Sequence, residues 1–441
     1  VDDTQRKLFK NKNFLWHLAG VTITLLGDQF TQLALPWLVL RMTGDAFLVG
    51  IVLAFGAAPR LIFMFVGGAV VDKHAPKYVL LLGRSVNVPL LGLLSYLVFT
   101  GAATVPILCA LSAATGLSSA FYYPASRSIV PQLVAPEQLP LANGLLDGAR
   151  QAWMAIAPLL AGALITVGGD GGLRFSGNAN GLGLAFLVDS ISFALAAVAV
   201  SRIRVDSSMS SGTSKATAGT TEMMLEGLEY SWREPTLKAL LLYMASIYLF
   251  TNGPVTVALP VLAMRIGGRA EAFGILVTAY GIGTLAGMSL AGFRPAWGTR
   301  LGMLVLLGNA VVGCLFVLMG WVTHVSEDVI ILAVVGVPVG FLQVYVGSWL
   351  QLNVRPSMMG RVMSLFLVVY LGIGPLSGAL AGWAMRYVNV TTLFIGAGSS
   401  LVLIVLVTSI ASPLRQLRFH TRPAMAGGTK DADLSVSPRR T

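Results

Sequence analysis

Apolar residues come in long unbroken blocks along this chain, not in the short alternations of a strand or the one-sided stripes of a solvated helix. Runs fall at 14–40, 47–71, 78–99, 105–126, 139–167 and 181–202, then at 237–263, 272–293, 301–321, 329–352, 362–385 and 391–412. Each is long enough to cross a hydrocarbon layer as a helix, which takes about 20 residues. The pattern predicts an all-α integral membrane fold: twelve transmembrane helices in two six-helix bundles with a polar break between them. The expected divisions are a tail over 1–13, a first bundle over 14–203, a linker over 204–236, a second bundle over 237–413 and a disordered tail over 414–441.

The break is rich in Ser, Thr and Gly over 207–221, too polar to pack a core, and reads as a flexible tether. It passes into a segment where Met224, Leu228 and Trp232 recur every four residues while Glu222, Glu226 and Glu229 take other faces. That spacing predicts an amphipathic helix lying on the membrane surface and ended by Pro235.

Composition agrees with the blocks. The chain of 441 residues is 55% hydrophobic and 11% charged, against about 25% charged for a soluble domain, which excludes a soluble enzyme. No pair of catalytic groups sits at recognisable spacing, so no enzyme is expected. Cys109 and Cys314 lie within apolar runs and read as small buried thiols. The net charge of +11 would suggest a nucleic-acid partner in a soluble protein, but position argues otherwise. Lys73, Lys77, Arg84, Arg127, Arg294, Arg300, Arg355 and Arg361 share one side with the basic tails; the other side has Arg41, Arg174, Arg265, Arg269 and Arg386. This bias predicts both termini in the cytoplasm and a multi-pass protein of the inner membrane, with no nucleic acid bound. The first run is too long for the core of a cleavable signal. His17, His74, His324 and His420 form no ligand-spaced set and no phosphate-cradling loop occurs, so neither a metal nor a cofactor is expected.

The two sets of six resemble each other. The segment 49–68 in the second run parallels 273–292 in the eighth, and 157–164 in the fifth parallels 374–382 in the eleventh, with Pro158 and Pro375 in equivalent places. Gly374 and Gly378 continue a small-residue ridge beside Pro375. Such positions serve either tight helix packing or bending as two halves rock about a central site.

After the second run, "GGAVVDKHAPK" carries Gly68, Asp72, Lys73 and Lys77 at the spacing of the loop signature of the major facilitator superfamily; Ala75 and Pro76 depart from it. Residues 120–146 and "MGRVMSL" at 359–365 are similar to the branch containing enterobactin-type siderophore exporters and macrolide efflux proteins. The resemblance implies a transporter working by alternating access, and export of a small amphipathic molecule, a siderophore or a drug, in exchange for protons. It also implies that Gly68, Asp72, Lys73 and Lys77, with Arg127 and Arg361 at the same level, form a conformational latch. Ser112 stands where the drug antiporters of the family have an arginine.

Ionisable residues inside the runs are costly and are functional candidates by default. Asp28 lies near mid-depth in the first run and is a candidate proton carrier or the partner of a structural pair with Arg60. Asp147 and Arg150, three apart on the fifth run, share a face and either neutralise each other or serve coupling and anion attraction. Asp189 beside Ser190 and Ser192 reads as a hydrogen-bonded structural acid more than a proton site. The second half offers Tyr243, Asn252, Gln343, Tyr345 and Tyr370 as cavity-lining candidates, a wall suited to a bulky amphipathic ligand. The partners expected are a small-molecule substrate, protons and the bilayer, with the chain working as a monomer. Alternatives are lipid or lysophospholipid movement, proton symport, or a receptor or scaffold without transport.

Overall fold

The computed structural model describes residues 3–170, 179–204, 229–266, 268–293, 300–322, 324–354, 358–411 and 413–417. Among them twelve long helices follow in order. The first half has α1 (Lys12–Thr43), α2 (Ala46–Lys73), α3 (Pro76–Phe99), α4 (Val105–Ser128), α5 (Leu139–Gly168) and α6 (Asn180–Ser201). The second has α7 (Pro235–Gly253), α8 (Ala270–Phe293), α9 (Leu301–Met319), α10 (Val325–Asn353), α11 (Met359–Ala384) and α12 (Val390–Ala411). Ten are apolar and long enough by composition to cross a membrane. In α1, Asp28, Gln29 and Gln32 interrupt the apolar run.

The duplication read from sequence is visible in packing. α3 lies against α6 as α9 lies against α12, and α2 against α4 as α8 against α10. Between halves the pairing is crossed: α2 packs on α11, and α5 on α8. Here "near face" denotes the end where the chain enters α1 and passes from α6 to α7; the "far face" is opposite.

Local chemistry sets the helix ends. Asn11 caps α1 by accepting from the Phe14 N–H, and Gly44, at φ 68°, ends it with its N–H on Leu40 O at 2.8 Å. A positive φ costs glycine nothing. The side chain of Asp45 then caps α2 by accepting from Phe47 N at 2.8 Å. The tail expected over 1–13 is partly structured: Asp3–Lys10 is helical, Leu8 is fully buried, and Asn13 exchanges hydrogen bonds with the Arg204 backbone. Of the expected amphipathic segment 222–235, residues 229–233 are described and helical, with Arg233 paired to Glu229 and Trp232 under Lys238; 222–228 lie outside the described residues.

α7 does not end cleanly at Gly253. Pro254 has no N–H, and a π-turn over Pro254–Ala258 leads into Leu259–Ile266. Ser377 of α11 fills the break: its hydroxyl accepts from Gly253 N at 2.6 Å and donates to Leu249 O at 2.5 Å. A side chain inserted into the ladder is one of the few physical causes of a helix bend.

Candidate functional site

Asp28 sits sixteen residues along α1, about 24 Å from its start. It is half-buried. Its carboxylate accepts a hydrogen bond from Tyr123 of α4, and Arg150, Arg60 and Arg84, from α5, α2 and α3, lie within electrostatic reach. Among the ion pairs of the described residues, none joins Asp28 to these arginines, so the structural Asp28–Arg60 pair is not formed. The Nε of Arg60 is buried without a hydrogen-bond partner. Asp189 of α6 is 1% exposed and accepts from Thr31 at 2.5 Å and from Ser192 at 3.1 Å, close enough to Asp28 for the two charges to interact.

Arg84, which the sequence pattern places with the loop charges, is instead eight residues inside α3 and 1% exposed. Its guanidinium donates to Ala196 O at 3.1 Å, and its Nε has no partner. Gly20 makes the space, since a Cβ there would lie 2.7 Å from the guanidinium. The reason for the misplacement is that α3 starts at Pro76 and carries Arg84 about 12 Å inward. The depth rule applied to Asp28 would have found it, as Arg84 lies within the run 78–99. Tyr122, its ring 4.6 Å from that of Tyr123 and tilted by 34°, completes the cluster.

Asp147 and Arg150 do not pair. Arg127 of α4 donates to Asp147 at 3.4 Å, both largely exposed at the near face, leaving Arg150 facing inward toward Asp28. Three residues apart on a helix share a face, but Arg127 is the nearer cation. Of the other latch candidates, Lys73 is exposed and Lys77 lies 6.0 Å over the Tyr78 ring. A Cβ at Gly68 would touch nothing. The side chains of Asp72 and Arg361 lie outside the described residues. None of the described members bridges the halves.

The bridges are at the far face instead. Arg41, in the last turn of α1, is 6% exposed; it donates to Asp170 of its own half at 2.5 Å and, across the halves, to the backbone oxygen of Gly268. Its guanidinium stacks 5.0 Å from the Trp37 ring, and Trp37 stacks on Phe273 of α8 at 6.1 Å. Asp45 pairs with Arg386 across the halves at 2.7 Å, with Arg386 also over the Phe47 ring at 4.1 Å. Partial burial pushes the Asp45 carboxyl up, but the hydrogen bonds from Arg386 and the Phe47 N–H together hold it below the usual carboxylate range. Thr166 accepts from Glu271 N at 2.9 Å. Sequence reading missed this set because Arg41, Asp45 and Arg386 look like ordinary loop charges, and ion pairing between distant loops leaves no local signature.

Backbones touch on the same side. A Cβ at Gly382 of α11 would come 2.6 Å from Ala46 O, and one at Gly50 of α2 would come 2.7 Å from Gly378 O. Pro158 packs on Gly274 of α8. At the near face, Cβ positions at Gly144, Gly148 and Gly292 meet nothing within 4 Å. The halves are therefore closed at the far face and parted at the near face, with Asp28, Arg60 and Arg150 each half-buried on the first-half helices.

The candidate lining of the second half is not gathered into one wall. Tyr243 is 4% exposed and turns toward Asn309 of α9, and Tyr345 is buried against Phe341, 4.4 Å between rings. Their aromatic mass fills the bundle core. Asn252 is half-buried beside Gly374, and Gln343 is exposed. The Tyr370 side chain lies outside the described residues. No group of three His, Cys, Asp or Glu among the described residues has metal-binding geometry.

The comparisons agree with this architecture. The chain is 24% identical over 415 residues to the multidrug efflux pump Tap of Mycolicibacterium fortuitum, covering 90% of this chain and 95% of that one. It is 21% identical over 403 residues to macrolide efflux protein A of Streptococcus pyogenes, covering 90% and 96%. Among solved structures, the nucleoside transporter NupG superposes with a TM-score of 0.67 at 12% identity, over 90% of this chain and 98% of that one. A bacterial homologue of the iron transporter ferroportin superposes with a TM-score of 0.68 at 16% identity, over 90% and 98%. Residues 18–379 match the Major Facilitator Superfamily. Two crossed six-helix halves, closed at one face and parted at the other around buried charge, thus have their family: the chain is a multi-pass membrane transporter belonging to the major facilitator superfamily, and not an enzyme.

Proposed function

We propose that this transporter exports a small amphipathic molecule by alternating access, with Asp28 carrying a coupled proton. The carrying observation is Asp28 itself: a half-buried carboxylate at mid-depth, held by a tyrosine hydroxyl and surrounded by cations without contacting them. A carboxylate so placed changes protonation when its neighbours move. The near face is taken as cytoplasmic because the basic loops gather there, so the cavity of this conformation faces the cytoplasm. Export is favoured by the two relatives named as efflux proteins. The resemblance implies exchange for protons. Which way the proton moves follows from substrate charge: a cation displaces a proton from Asp28, whereas an anion recruits one.

The test is transport in proteoliposomes under an imposed pH gradient, with the cation erythromycin and the anion dansylglycine as probes and Asp28→Asn as the paired variant. Gradient-dependent movement that vanishes in Asp28→Asn, while the variant still binds probe, is expected. Movement that ignores the gradient, or an unaltered Asp28→Asn, removes the proton from the mechanism.

A further inference from the structure

We propose that the substrate is an amphipathic anion, a small apolar body bearing one carboxylate, phosphate or sulfonate, with its charge held between Arg60 and Arg150. The charges around the gap do not balance. Arg60 on α2, Arg84 on α3 and Arg150 on α5 converge on Asp28 of α1. The facing groups on the remaining first-half helices are Tyr122 and Tyr123 on α4 and Asp189 on α6, the last already bonded to Thr31 and Ser192. No arginine of the three forms an ion pair among the described residues, and the Nε atoms of Arg60 and Arg84 are buried without partners. Across the gap the second-half helices bring no compensating acid: Glu271, Glu327 and Asp328 all lie in far-face first turns of α8 and α10. An unpaired guanidinium in a membrane interior is costly, and an anion relieves that cost.

The three cations have different jobs. Arg84 is sealed under the site by its bond to Ala196 and supplies fixed positive charge. Arg60 and Arg150 are half-buried, not sealed, which leaves them open to a ligand between the halves; two planar guanidinium forks suit a carboxylate or phosphate. Asn252, half-buried beside Gly374, is the described second-half candidate left to meet the rest of the ligand. Because the anion takes the same guanidiniums that offset the Asp28 charge, Asp28 then accepts a proton from solvent, and substrate and proton occupy the site together; for such a substrate the proton leaves with the anion in place of the exchange that the resemblance implies, and export runs down the anion's own gradient. The substrate class stands on the arginines alone; the proton's part rests on the reading of Asp28 as carrier.

Isothermal titration calorimetry on the full chain in lipid nanodiscs separates the two. The probes are dansylglycine, its neutral amide and the cation ethidium, each run in two buffers of different ionisation enthalpy to count protons, with empty nanodiscs as blank. Dansylglycine is expected to bind about tenfold or more tightly than the amide. Arg60→Gln and Arg150→Gln should each weaken it about tenfold, with Arg60→Lys and Arg150→Lys restoring most of the loss; elution as a single species shows the variants are folded. Failure of dansylglycine to bind, equal binding of the amide, preference for ethidium, or indifference to both glutamine variants overturns the inference. Proton uptake with dansylglycine, lost in Asp28→Asn, supports joint occupancy. Proton release, or no proton change in the wild-type chain, overturns joint occupancy, and the latter also counts against Asp28 as the carrier while the anion preference stands.

Discussion

Asp170→Asn should open the far face. The Arg41–Asp170 pair is short and sheltered, with side-chain exposures of 7% and 19%. Removing one member of a buried pair costs about 3–5 kcal/mol because the other charge is left without its partner. Arg41 keeps its bond to Gly268 and its stack on Trp37 in the variant, so the lower figure applies. Both members belong to the first half, so rocking does not part them; closure instead holds Arg41 out of water against Gly268 of the second half and over Trp37, which stacks on Phe273 of α8, and opening rehydrates the guanidinium, so the loss falls mainly on the closed form. At 1.4 kcal/mol per tenfold, about 3 kcal/mol shifts the closed-to-open ratio by about a hundredfold. The assay is pulsed electron resonance between spin labels at Ala102→Cys and Trp321→Cys, in far-face loops of opposite halves, after replacing Cys109 and Cys314. Wild type should give one short distance, and Asp170→Asn a second, longer one. Asp45→Asn is the internal scale: its pair with Arg386 is 45% and 30% exposed, so it is worth at most about 1 kcal/mol after solvent screening and should shift the ratio only about fivefold. If Asp170→Asn leaves the distribution unchanged, or Asp45→Asn has the larger effect, burial does not set the strength of this closure and the reasoning fails.

Acid should act through Asp45 with a definite sign. Its carboxyl is held below the ordinary range, so its contribution to the closed form is intact above the ordinary value, about 3.9, and is lost as pH falls through the lowered value; in an Asp28→Asn background, which removes the coupled carboxyl, the spin-label distances should hold between pH 7 and 5, and a shift in that window would contradict the assignment. Gly382→Val places methyl groups against Ala46 O and the Phe47 backbone, and should favour the long distance without Asp170 being touched; retention of the wild-type distance would show that α2 and α11 can yield there. Ser377→Ala leaves Gly253 N–H and Leu249 C=O without the hydroxyl that joins them, a loss of about 1–3 kcal/mol, so the melting temperature in detergent should fall by several degrees (about 2–4 per kcal/mol), and an unchanged melt would mean that the π-turn satisfies itself.

The legible part of this protein is what lies along one helix at a time. The twelve apolar runs, their division into two halves and the mid-depth position of Asp28 all follow from hydropathy and a rise of about 1.5 Å per residue. Asp189 also read correctly as a hydrogen-bonded group, because its donor Ser192 is one turn away on the same helix. Arg84 was legible and overlooked: the same depth rule applies to it. The pairing of Asp147 with Arg127, in contrast, joins two helices, and spacing along α5 favours Arg150 instead.

The far-face closure could not be read at all. Arg41 and Gly268 are 227 residues apart, and Asp45 and Arg386 are 341 apart; at the sequence level Arg41, Asp45 and Arg386 are ordinary charges beside helix ends. Hydrophobic burial determines which segments enter the membrane, and that information is carried by composition, so the sequence by itself determined the all-α membrane class and the six-plus-six plan. Coulomb energy depends on distance and on the solvent around a pair. Only the tertiary packing brings Arg41 out of water against Asp170, parts Arg150 from Asp147, and leaves three guanidinium groups around a single half-buried carboxylate.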